Sequence, residues 1–279
     1  MQQSLFLRRT VLAAAVAVAL PMAAVAQVKV GVIVSSTGPA ASMGIPERNT
    51  VSLLPTEVAD QTVEYIVLDD ATDTTIAARN MRKLVTEDKV DVVIGTTFTP
   101  GSIAMVDIAG ETQTPMISVA ANARIISPVD GPREWAFKSP QNDELMAEAL
   151  ANTMAKQGVK TLSVIGFNDA YGDAWIEAME SAAAEKDIKI LTKESYARND
   201  TSVTGQVLKI LASKPDAILI AAAGTPVALP QGEIKKRGFD GIIYQTHGAA
   251  NSDVLRVCGQ DCEGMILPTG PLKSKNANK

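Results

Sequence analysis

The sequence predicts an α/β fold of two similar lobes in tandem, each built around a mostly parallel sheet. From Val28 onward, short β-branched runs alternate with helical patterns, which is typical of βαβ units. The strand candidates are nearly all apolar, as strands covered on both faces should be. The alternation breaks at Phe137-Lys138-Ser139-Pro140 and then starts afresh. We therefore expect a first lobe over residues 27–138, a second lobe over 139–267 and a polar tail over 268–279.

The first 26 residues have the pattern of a signal peptide. Arg8-Arg9 precede an apolar run that closes with Ala24-Val25-Ala26, a small-residue cleavage site. Pro21 interrupts the run, which is short for a membrane span, so a retained anchor is the weaker alternative. No cysteine directly follows the run to accept a lipid, and Arg8-Arg9 is a weak twin-arginine signal. We expect cleavage after Ala26, export, and no stable membrane insertion of the mature chain.

In the first lobe, β-branched runs predict four strands. One helix should begin at an Asp73 cap and present an apolar stripe that includes Ala77 and Met81. A second helix is expected from Ser102 to Glu111, after the turn residues Thr99-Pro100-Gly101. The predicted strands are Val28–Val34, Val63–Leu68, Val90–Ile94 and Met116–Val119.

The second lobe repeats the same alternation. Its first helix is expected from Asn142 to Gln157, with Gly158 as the stop signal. The predicted strands are Thr161–Ile165, Ile188–Thr192, Ala217–Ala221 and Ile242–Gln245. The helices between them are expected near Asp173–Lys186, Ser202–Ser213 and Leu229–Arg237.

Charge and motifs argue against several functions. The net charge of -5, with both signs mixed along the chain, offers no basic stripe for nucleic acid. The sequence contains no G-x-S-x-G elbow, H-E-x-x-H, Walker A or G-x-G-x-x-G motif, so we expect no enzyme and no cofactor. The pair Asp69-Asp70 ends a strand, where successive side chains point to opposite faces. A capping or surface role therefore suits this pair better than acid–base catalysis.

Two cysteines, Cys258 and Cys262, lie in the segment CGQDC. In an exported chain they either form a local disulfide or remain free thiols, and the sequence leaves both open. Together with the single His247 they are too few ligands for a zinc site, so we expect no metal.

Ligands of parallel α/β sheets bind beyond the carboxyl ends of the strands. Tyr171, in a polar turn bounded by glycine, offers a ring and a hydroxyl to a cleft, with hinge or core packing as the alternative. His247 follows a strand and is either a ligand contact or a structural histidine. The loops in question are rich in Gly, Ser and Thr, which suit an anion, and they are Ser35–Gly44, Gly95–Ser102, Ala120–Arg124, Gly166–Gly172, Gly224–Pro226 and Thr246–Asn251.

Four segments from these regions follow one another in a distinctive order. They are Ser36-Thr37-Gly38-Pro39-Ala40-Ala41, Leu68-Asp69-Asp70-Ala71-Thr72-Asp73, Ile117-Ser118-Val119-Ala120-Ala121-Asn122 and Asp169-Ala170-Tyr171-Gly172. In this order and spacing the chain resembles the branched-chain amino acid (Leu/Ile/Val)-binding proteins of ABC transporters, from about Val28 to Pro271. The resemblance implies the type I periplasmic binding fold, a small carboxylate ligand held between two lobes, and an inner-membrane ABC permease as partner.

The resemblance also implies ligand-binding residues. In this family the first lobe holds the ligand carboxylate through a hydroxyl residue after the third strand and through the loop after the fourth. The matching positions are Thr99, with Thr97 or Ser102 as substitutes, and Ala120, Ala121 and Asn122. The family also places Met43 near the ligand side chain and Tyr171 on the second lobe, closing over the ligand.

Three positions depart from the family. In the loop after the fourth strand, Asn122 replaces the family's threonine. Where amino acid binders present a carboxylate to the ligand ammonium, this chain has His247, and a buried ammonium without an acidic partner is costly. An aromatic residue often found after the strand ending near Ala222 is replaced by Thr225 or Pro226. We therefore keep two ligand classes open, amino acids and aromatic or other organic acids.

The function predicted is the substrate-binding component of an ABC uptake transporter, which performs no chemistry. A ligand-sensing receptor module of the same fold is the alternative, and an exported α/β hydrolase is disfavoured by the missing nucleophile elbow. The resemblance further implies segments that recross between the lobes, roughly a hundred residues beyond those present. We therefore expect an incomplete second sheet, whose open edge is either exposed or paired with another copy of the chain.

Overall fold

The computed structural model describes residues 27–270. The predicted signal peptide and most of the predicted polar tail lie outside these residues. The chain divides into two compact units. The described part of the smaller unit is residues 27–28 and Pro55–Glu64, and the larger unit comprises residues 29–54 and 65–270.

The first sheet lies in the N-terminal half of the chain. Its strands are β1 (Val28–Val34), β2 (Glu57–Val58), β3 (Gln61–Asp69), β4 (Val92–Gly95), β5 (Met116–Ser118) and β6 (Ala136–Lys138). In the larger unit the strand order is β3-β1-β4-β5-β6, and the pairs β1–β4, β4–β5 and β5–β6 are parallel. In the smaller unit, β2 pairs antiparallel with the start of β3.

The α-helices among the described residues of this half are α1 (Ala41–Val51), α2 (Thr74–Lys83) and α3 (Thr99–Thr112). The predicted Asp73 cap is confirmed, because its carboxylate accepts a hydrogen bond from the backbone N–H of Ile76 at 2.8 Å. Ala77 and Met81 of α2 are fully buried, as the predicted apolar stripe requires. They belong to the core of the first lobe, together with Ile33 of β1.

The second sheet and its helices form a separate core. The strands are β7 (Thr161–Phe167), β8 (Lys189–Tyr196), β9 (Ala217–Ala221) and β10 (Ile242–Gln245), in the order β10-β9-β7-β8, with all pairs parallel. The helices are α4 (Asp143–Lys156), α5 (Ala170–Ala184), α6 (Thr204–Ala212), α7 (Ala228–Lys236) and α8 (Ser252–Cys258). Trp175, Tyr196 and Tyr244 are the largest fully buried side chains of this core. The predicted two-lobed α/β architecture is thus confirmed.

Several predicted boundaries were wrong for local reasons. Helix α3 begins at Thr99 rather than Ser102, because Pro100 lies in the first turn, where the missing N–H of proline costs nothing. Helix α1 was missed because Pro46 and a run of polar residues hide its period. Helix α8 and the short strand β6, at the predicted break around Phe137, were also missed.

A disulfide and a β-bridge order the C-terminal part of the described chain. Cys258 and Cys262 form a disulfide, with 5.5 Å between their Cα atoms. Beyond it, Ile266 forms a parallel bridge with Tyr244, so the edge of the second sheet beside β10 is paired at this point by the chain's own residues. Within residues 27–270, no helix has the length and apolar character needed to cross a membrane.

Helix α1 packs directly against the end of β1. A Cβ atom added to Gly44 would lie 2.1 Å from the carbonyl oxygen of Ser35, so only glycine allows this approach. The contact brings Met43 and Glu47 of α1 to the edge where the strands of the first sheet end.

We predict that Gly44→Ala lowers the free energy of unfolding by about 1–3 kcal/mol, because the backbone must move to admit the methyl group. Gly205→Ala, in the first turn of α6, is the matched control, since no atom lies within 4 Å of its added methyl. Alanine favours helix, so the control should be neutral or more stable by up to about 1 kcal/mol. Denaturant unfolding of both variants measures the difference, and equal losses would contradict the proposed packing.

Candidate ligand-binding site

A cavity of about 200 Å³ lies where the carboxyl ends of the strands of both lobes meet. The first lobe contributes the residues after β4 and β5 and one side of α1. The second lobe contributes the residues that follow β7, β8, β9 and β10. The lining consists of Met43, Glu47, Thr97, Phe98, Thr99, Val119, Ala120, Ala121, Pro140, Tyr171, Arg198, Ala223, His247, Gly248, Ala250 and Asn251.

The first lobe presents the start of a long helix to this cavity. Thr99 opens the 14-residue helix α3, and no side chain caps its N-terminus. The first backbone N–H groups of a helix lack internal partners, and the helix dipole makes this end attractive to anions. The hydroxyl oxygen of Thr99 is buried and makes no hydrogen bond within residues 27–270. A carboxylate oxygen at this place would satisfy both the hydroxyl and the helix end.

The second lobe presents Arg198, a cation that the sequence analysis missed. Its Nε donates to Oδ2 of Asp169 at 2.6 Å, and its side chain is only 12% exposed. The guanidinium carbon lies 4.1 Å from the centre of the Phe167 ring and 5.9 Å from that of Phe98. Because Phe98 immediately precedes Thr99, Arg198 lies near the start of α3. Both lobes therefore bring groups that attract an anion to the same side of the cavity.

The first lobe also contributes an acid, Glu47 on α1. Its Oε2 accepts a hydrogen bond from the Thr97 hydroxyl at 2.6 Å. Burial raises the pKa of Glu47 to about 7; the bond from Thr97 opposes the rise and the charge of Asp70 adds to it. The sequence did not predict this carboxyl group, because the family resemblance places the acidic partner of the ligand at the His247 position.

Tyr171 and His247 line the second-lobe side, and they differ in their polar groups, because within residues 27–270 the buried Nδ1 of His247 has no hydrogen-bond partner. The Tyr171 hydroxyl donates to the Thr246 hydroxyl at 2.8 Å, so it is occupied within the second lobe. The Nε2 atom of His247 lies 3.9 Å from Oδ1 of Asp143, which is almost completely buried. Burial raises the pKa of Asp143 to about 7, and burial together with Lys138 lowers the pKa of His247 to about 4. Both groups are thus shifted toward their neutral forms.

Gly248 allows the chain to pass close to Tyr171 at this wall. A Cβ atom at Gly248 would lie 2.5 Å from the Cβ of Ala223 and 2.9 Å from the Tyr171 hydroxyl. A side chain here would therefore have to displace part of the cavity lining.

The structure brings together most of the residues predicted for the site. Seven of the nine line the cavity, namely Met43, Thr97, Thr99, Ala120, Ala121, Tyr171 and His247. Asn122 and Thr225 do not line it. Ser102, the second substitute for Thr99, is also outside the lining, because its hydroxyl bonds with that of Ser118 at 2.7 Å.

Asn122 and Thr225 instead connect the two lobes. The amide of Asn122 donates to the carbonyl oxygen of Ala170 at 3.3 Å, and the backbone N–H of Thr225 donates to the Ser42 hydroxyl at 3.2 Å. The ion pair between Arg124 and Glu177 makes a further link, with 2.5 Å between Nη2 and Oε2. The lobes are therefore in contact around the cavity in this structure.

Asp69, of the acidic pair Asp69-Asp70, has a structural role. Asp69 accepts from the Thr37 hydroxyl at 2.6 Å and from the Ala71 N–H at 3.0 Å, so it orders the loop as the capping hypothesis predicted. Within the described chain, no group of three or more His, Cys, Asp or Glu side chains could hold a metal ion.

Two parallel-sheet lobes with a cavity between them are the architecture of the type I periplasmic binding fold. The chain belongs to the periplasmic binding protein family, whose model matches residues 27–279. A curated relative, Leu/Ile/Val-binding protein homolog 3 of Brucella melitensis, is 21% identical over 261 residues, which is 91% of this chain and 70% of that protein. The predicted resemblance to the branched-chain amino acid-binding type is confirmed.

Solved structures agree with this assignment. An extracellular ligand-binding receptor from Rhodopseudomonas palustris HaA2 is 48% identical, with a TM-score of 0.84, over 86% of this chain and 66% of that one. A solute-binding protein of an ABC transporter from R. palustris BisB5, in complex with 3,4-dihydroxybenzoic acid, shares the fold at 21% identity and a TM-score of 0.77, over 85% of this chain and 66% of that one. The chain thus spans about two thirds of the length of these structures.

The extracellular calcium-sensing receptor of mouse is a further relative, which matches a smaller part of this chain. It is 23% identical over 221 residues, which is 72% of this chain and 20% of the receptor.

The buried acid Asp143 leads to a prediction about stability. Its pKa of about 7 in the folded chain lies above the ordinary value of about 3.9, so the folded state holds a proton that the unfolded state releases between these values. The stability that this proton provides is complete below about pH 4 and is lost as the pH rises through 7. Asp143→Asn removes this loss, and the variant should gain about 1–3 kcal/mol over the wild type at pH 8 but little at pH 4.

Glu148→Gln is the matched control, because it removes the same charge from an exposed position of the same helix. His247 titrates in the opposite sense, but it is present in both proteins and its contribution largely cancels in the difference. Denaturant unfolding at pH 4 and pH 8 measures the effect. An Asp143→Asn variant that is less stable than the wild type at pH 8 would show that the carboxylate is well stabilised when ionised.

Proposed function

We propose that this chain is the substrate-binding component of an ABC uptake transporter, which captures a small carboxylate between its lobes and performs no chemistry on it. In this proposal the chain is exported to the periplasm with cleavage after Ala26, and an inner-membrane ABC permease receives the ligand. The first lobe comprises residues 27–138 and the second 139–267. The family assignment supports the class of protein, and the cavity supports the class of ligand.

The observation that carries the proposal is the convergence of anion-binding groups from both lobes. The start of α3 and the unsatisfied Thr99 hydroxyl come from the first lobe, and the Arg198 guanidinium comes from the second. Arginine suits carboxylates because its planar fork can donate two parallel hydrogen bonds. A carboxylate held by both lobes would favour the closed arrangement over the open one.

The size of the cavity limits the ligand. About 200 Å³ is below the roughly 300–1,000 Å³ that is usual for drug-sized ligands, so a molecule of amino acid or benzoate size is expected. Relatives point to both classes, since one is named for leucine, isoleucine and valine and another was solved with 3,4-dihydroxybenzoic acid. Phe98 and the Tyr171 ring give the cavity aromatic walls, and Met43 gives it an apolar one.

Ligand capture in this proposal is a population shift between open and closed lobes. The first lobe, with Thr99, Ala120 and Ala121, would bind the ligand initially. Arg198, Tyr171 and His247 would reach it only on closure, together with the links at Asn122 and Thr225. The ligand therefore stabilises the closed form by the contacts that only this form offers.

A sensing module of the same fold is the second candidate. The match to the mouse calcium-sensing receptor favours it, because that receptor includes a region similar to most of this chain. Uptake of labelled ligand by cells that contain or lack the gene distinguishes the two, since only a transport component changes uptake.

We predict that Thr99→Val weakens carboxylate binding by about 1–3 kcal/mol, because it deletes a hydroxyl beside a charged oxygen while nearly keeping the volume. Thr112→Val is the matched control on the same helix, where the hydroxyl donates only to the Ile108 carbonyl oxygen. Arg198→Lys keeps the charge but loses the planar fork, and should weaken binding similarly. Calorimetric titration with ligands found in a thermal-shift screen measures these effects. Unchanged affinity in both Thr99→Val and Arg198→Lys would rule out this carboxylate site.

A separate prediction concerns closure. Asn122→Asp replaces the amide that donates to the Ala170 carbonyl by an oxygen that repels it, and should speed ligand release about 3–10-fold, the equivalent of one hydrogen bond. Asn80→Asp is the matched control, because that amide donates to the Asp69 carbonyl within the first lobe. Stopped-flow dissociation compares the variants. Equal release rates for Asn122→Asp and the wild type would show that this link does not hold the lobes together.

A further inference from the structure

Glu47 lines the cavity, and only one of its two carboxyl oxygens accepts a hydrogen bond within residues 27–270. Oε2 accepts the hydrogen bond from the Thr97 hydroxyl. The Thr97 oxygen in turn accepts from the backbone N–H of Ser35 at 2.8 Å, so its only proton is used on Glu47. Within residues 27–270, Oε1 of Glu47 makes no hydrogen bond, and no lysine, arginine or histidine forms an ion pair with this residue.

The neighbouring donors are already used by a second acid. Asp70 is fully buried, and its Oδ1 accepts from the Ser35 hydroxyl at 2.6 Å and from the Thr72 N–H at 2.9 Å. Its Oδ2 accepts from the Thr96 hydroxyl. The side-chain donors of Ser35, Thr96 and Thr97 are therefore all used, and a ligand that fills the cavity would cut Oε1 off from water.

We propose that Glu47 selects ligands which carry, besides their carboxylate, a hydrogen-bond donor in the form of an ammonium or a hydroxyl group, and that this donor meets Oε1. The inference rests on the proposed function and deepens it by naming a required ligand group. A ligand without the donor leaves a desolvated, unpaired carboxyl oxygen, which is how sites built to bind an N–H or O–H group reject analogues that lack it.

The charges around Glu47 add a dependence on pH. Asp70 lies on the same lobe, Arg48 follows Glu47 on α1, and the second-lobe wall carries Arg198 with Asp169 and His247 with Asp143. Burial raises the pKa of Glu47 to about 7. The donor pairs with the ionised carboxylate, so affinity for donor-bearing ligands should be highest above pH 7 and should fall as the pH drops below it.

The test uses two matched pairs of carboxylates that differ only in the donor. 4-Hydroxybenzoate is compared with benzoate, and leucine with 4-methylpentanoate. Calorimetric titration at pH 8 measures all four with the wild type, Glu47→Gln and the control Glu111→Gln, which alters an exposed residue of α3. In at least one pair the donor-bearing ligand should bind the wild type more than about 10-fold more tightly than its partner.

In Glu47→Gln this advantage should shrink to less than about 3-fold, with the larger loss for an ammonium than for a hydroxyl, since only the ammonium loses an opposite charge. The ligand without the donor should bind Glu47→Gln at least as well as the wild type, which also shows that the variant folds. The control should keep the full advantage. At pH 5.5 the wild type should lose most of its preference, whereas Glu47→Gln should change little.

Failure of the role of Glu47 and failure of the proposed function give different results. A donor advantage that persists in Glu47→Gln, or its absence from the wild type while carboxylates still bind, overturns the role of Glu47 and leaves the proposed function intact. Failure of all four ligands, and of the other carboxylates in the thermal-shift screen, overturns the proposed function and this inference together.

Discussion

Neighbouring strands run parallel through the centre of the first sheet and throughout the second, and the position of the site follows from this constraint. The carboxyl ends of parallel strands all lie at the same edge of the sheet. The segments that follow these strands in the two lobes therefore meet around one cavity. The crossover helices begin at that edge as well. Thr99 and Tyr171 reach the cavity because they lie in the first turns of α3 and α5.

Burial then sets the charges that surround the cavity. Glu47 and Asp143 have raised pKa values and His247 has a lowered one, so all three move toward neutral forms. Arg198 differs because a guanidinium stays charged in proteins and because Asp169 lies beside it. The cavity wall therefore carries the Arg198–Asp169 ion pair near the start of α3. It also carries the Oε1 atom of Glu47, which we propose accepts a hydrogen bond from the ligand.

The direct links between the lobes are weak in comparison. The ion pair between Arg124 and Glu177 is exposed to water, and such pairs contribute at most about 1 kcal/mol. The hydrogen bonds made by Asn122 and Thr225 contribute about 0.5–1.5 kcal/mol each. Closure supported only by such links is easily reversed. A ligand that contacts both lobes can therefore decide which arrangement is populated, as capture and release require.

The sequence by itself determined the α/β class, the succession of parallel strands and the loops that carry the site, because period and strand composition are local properties of the chain. Loops after predicted strands also identified Tyr171 and His247, whereas Thr99 was predicted from the resemblance to the family. Tertiary structure alone decided that Asn122 links the lobes instead of lining the cavity, and that Glu47 and Arg198 do line it. The reason is physical: Glu47 reaches the cavity only because Gly44 lets α1 lie against β1, and Arg198 only because the second lobe approaches Phe98. Such contacts between distant segments leave no periodic signal in the sequence.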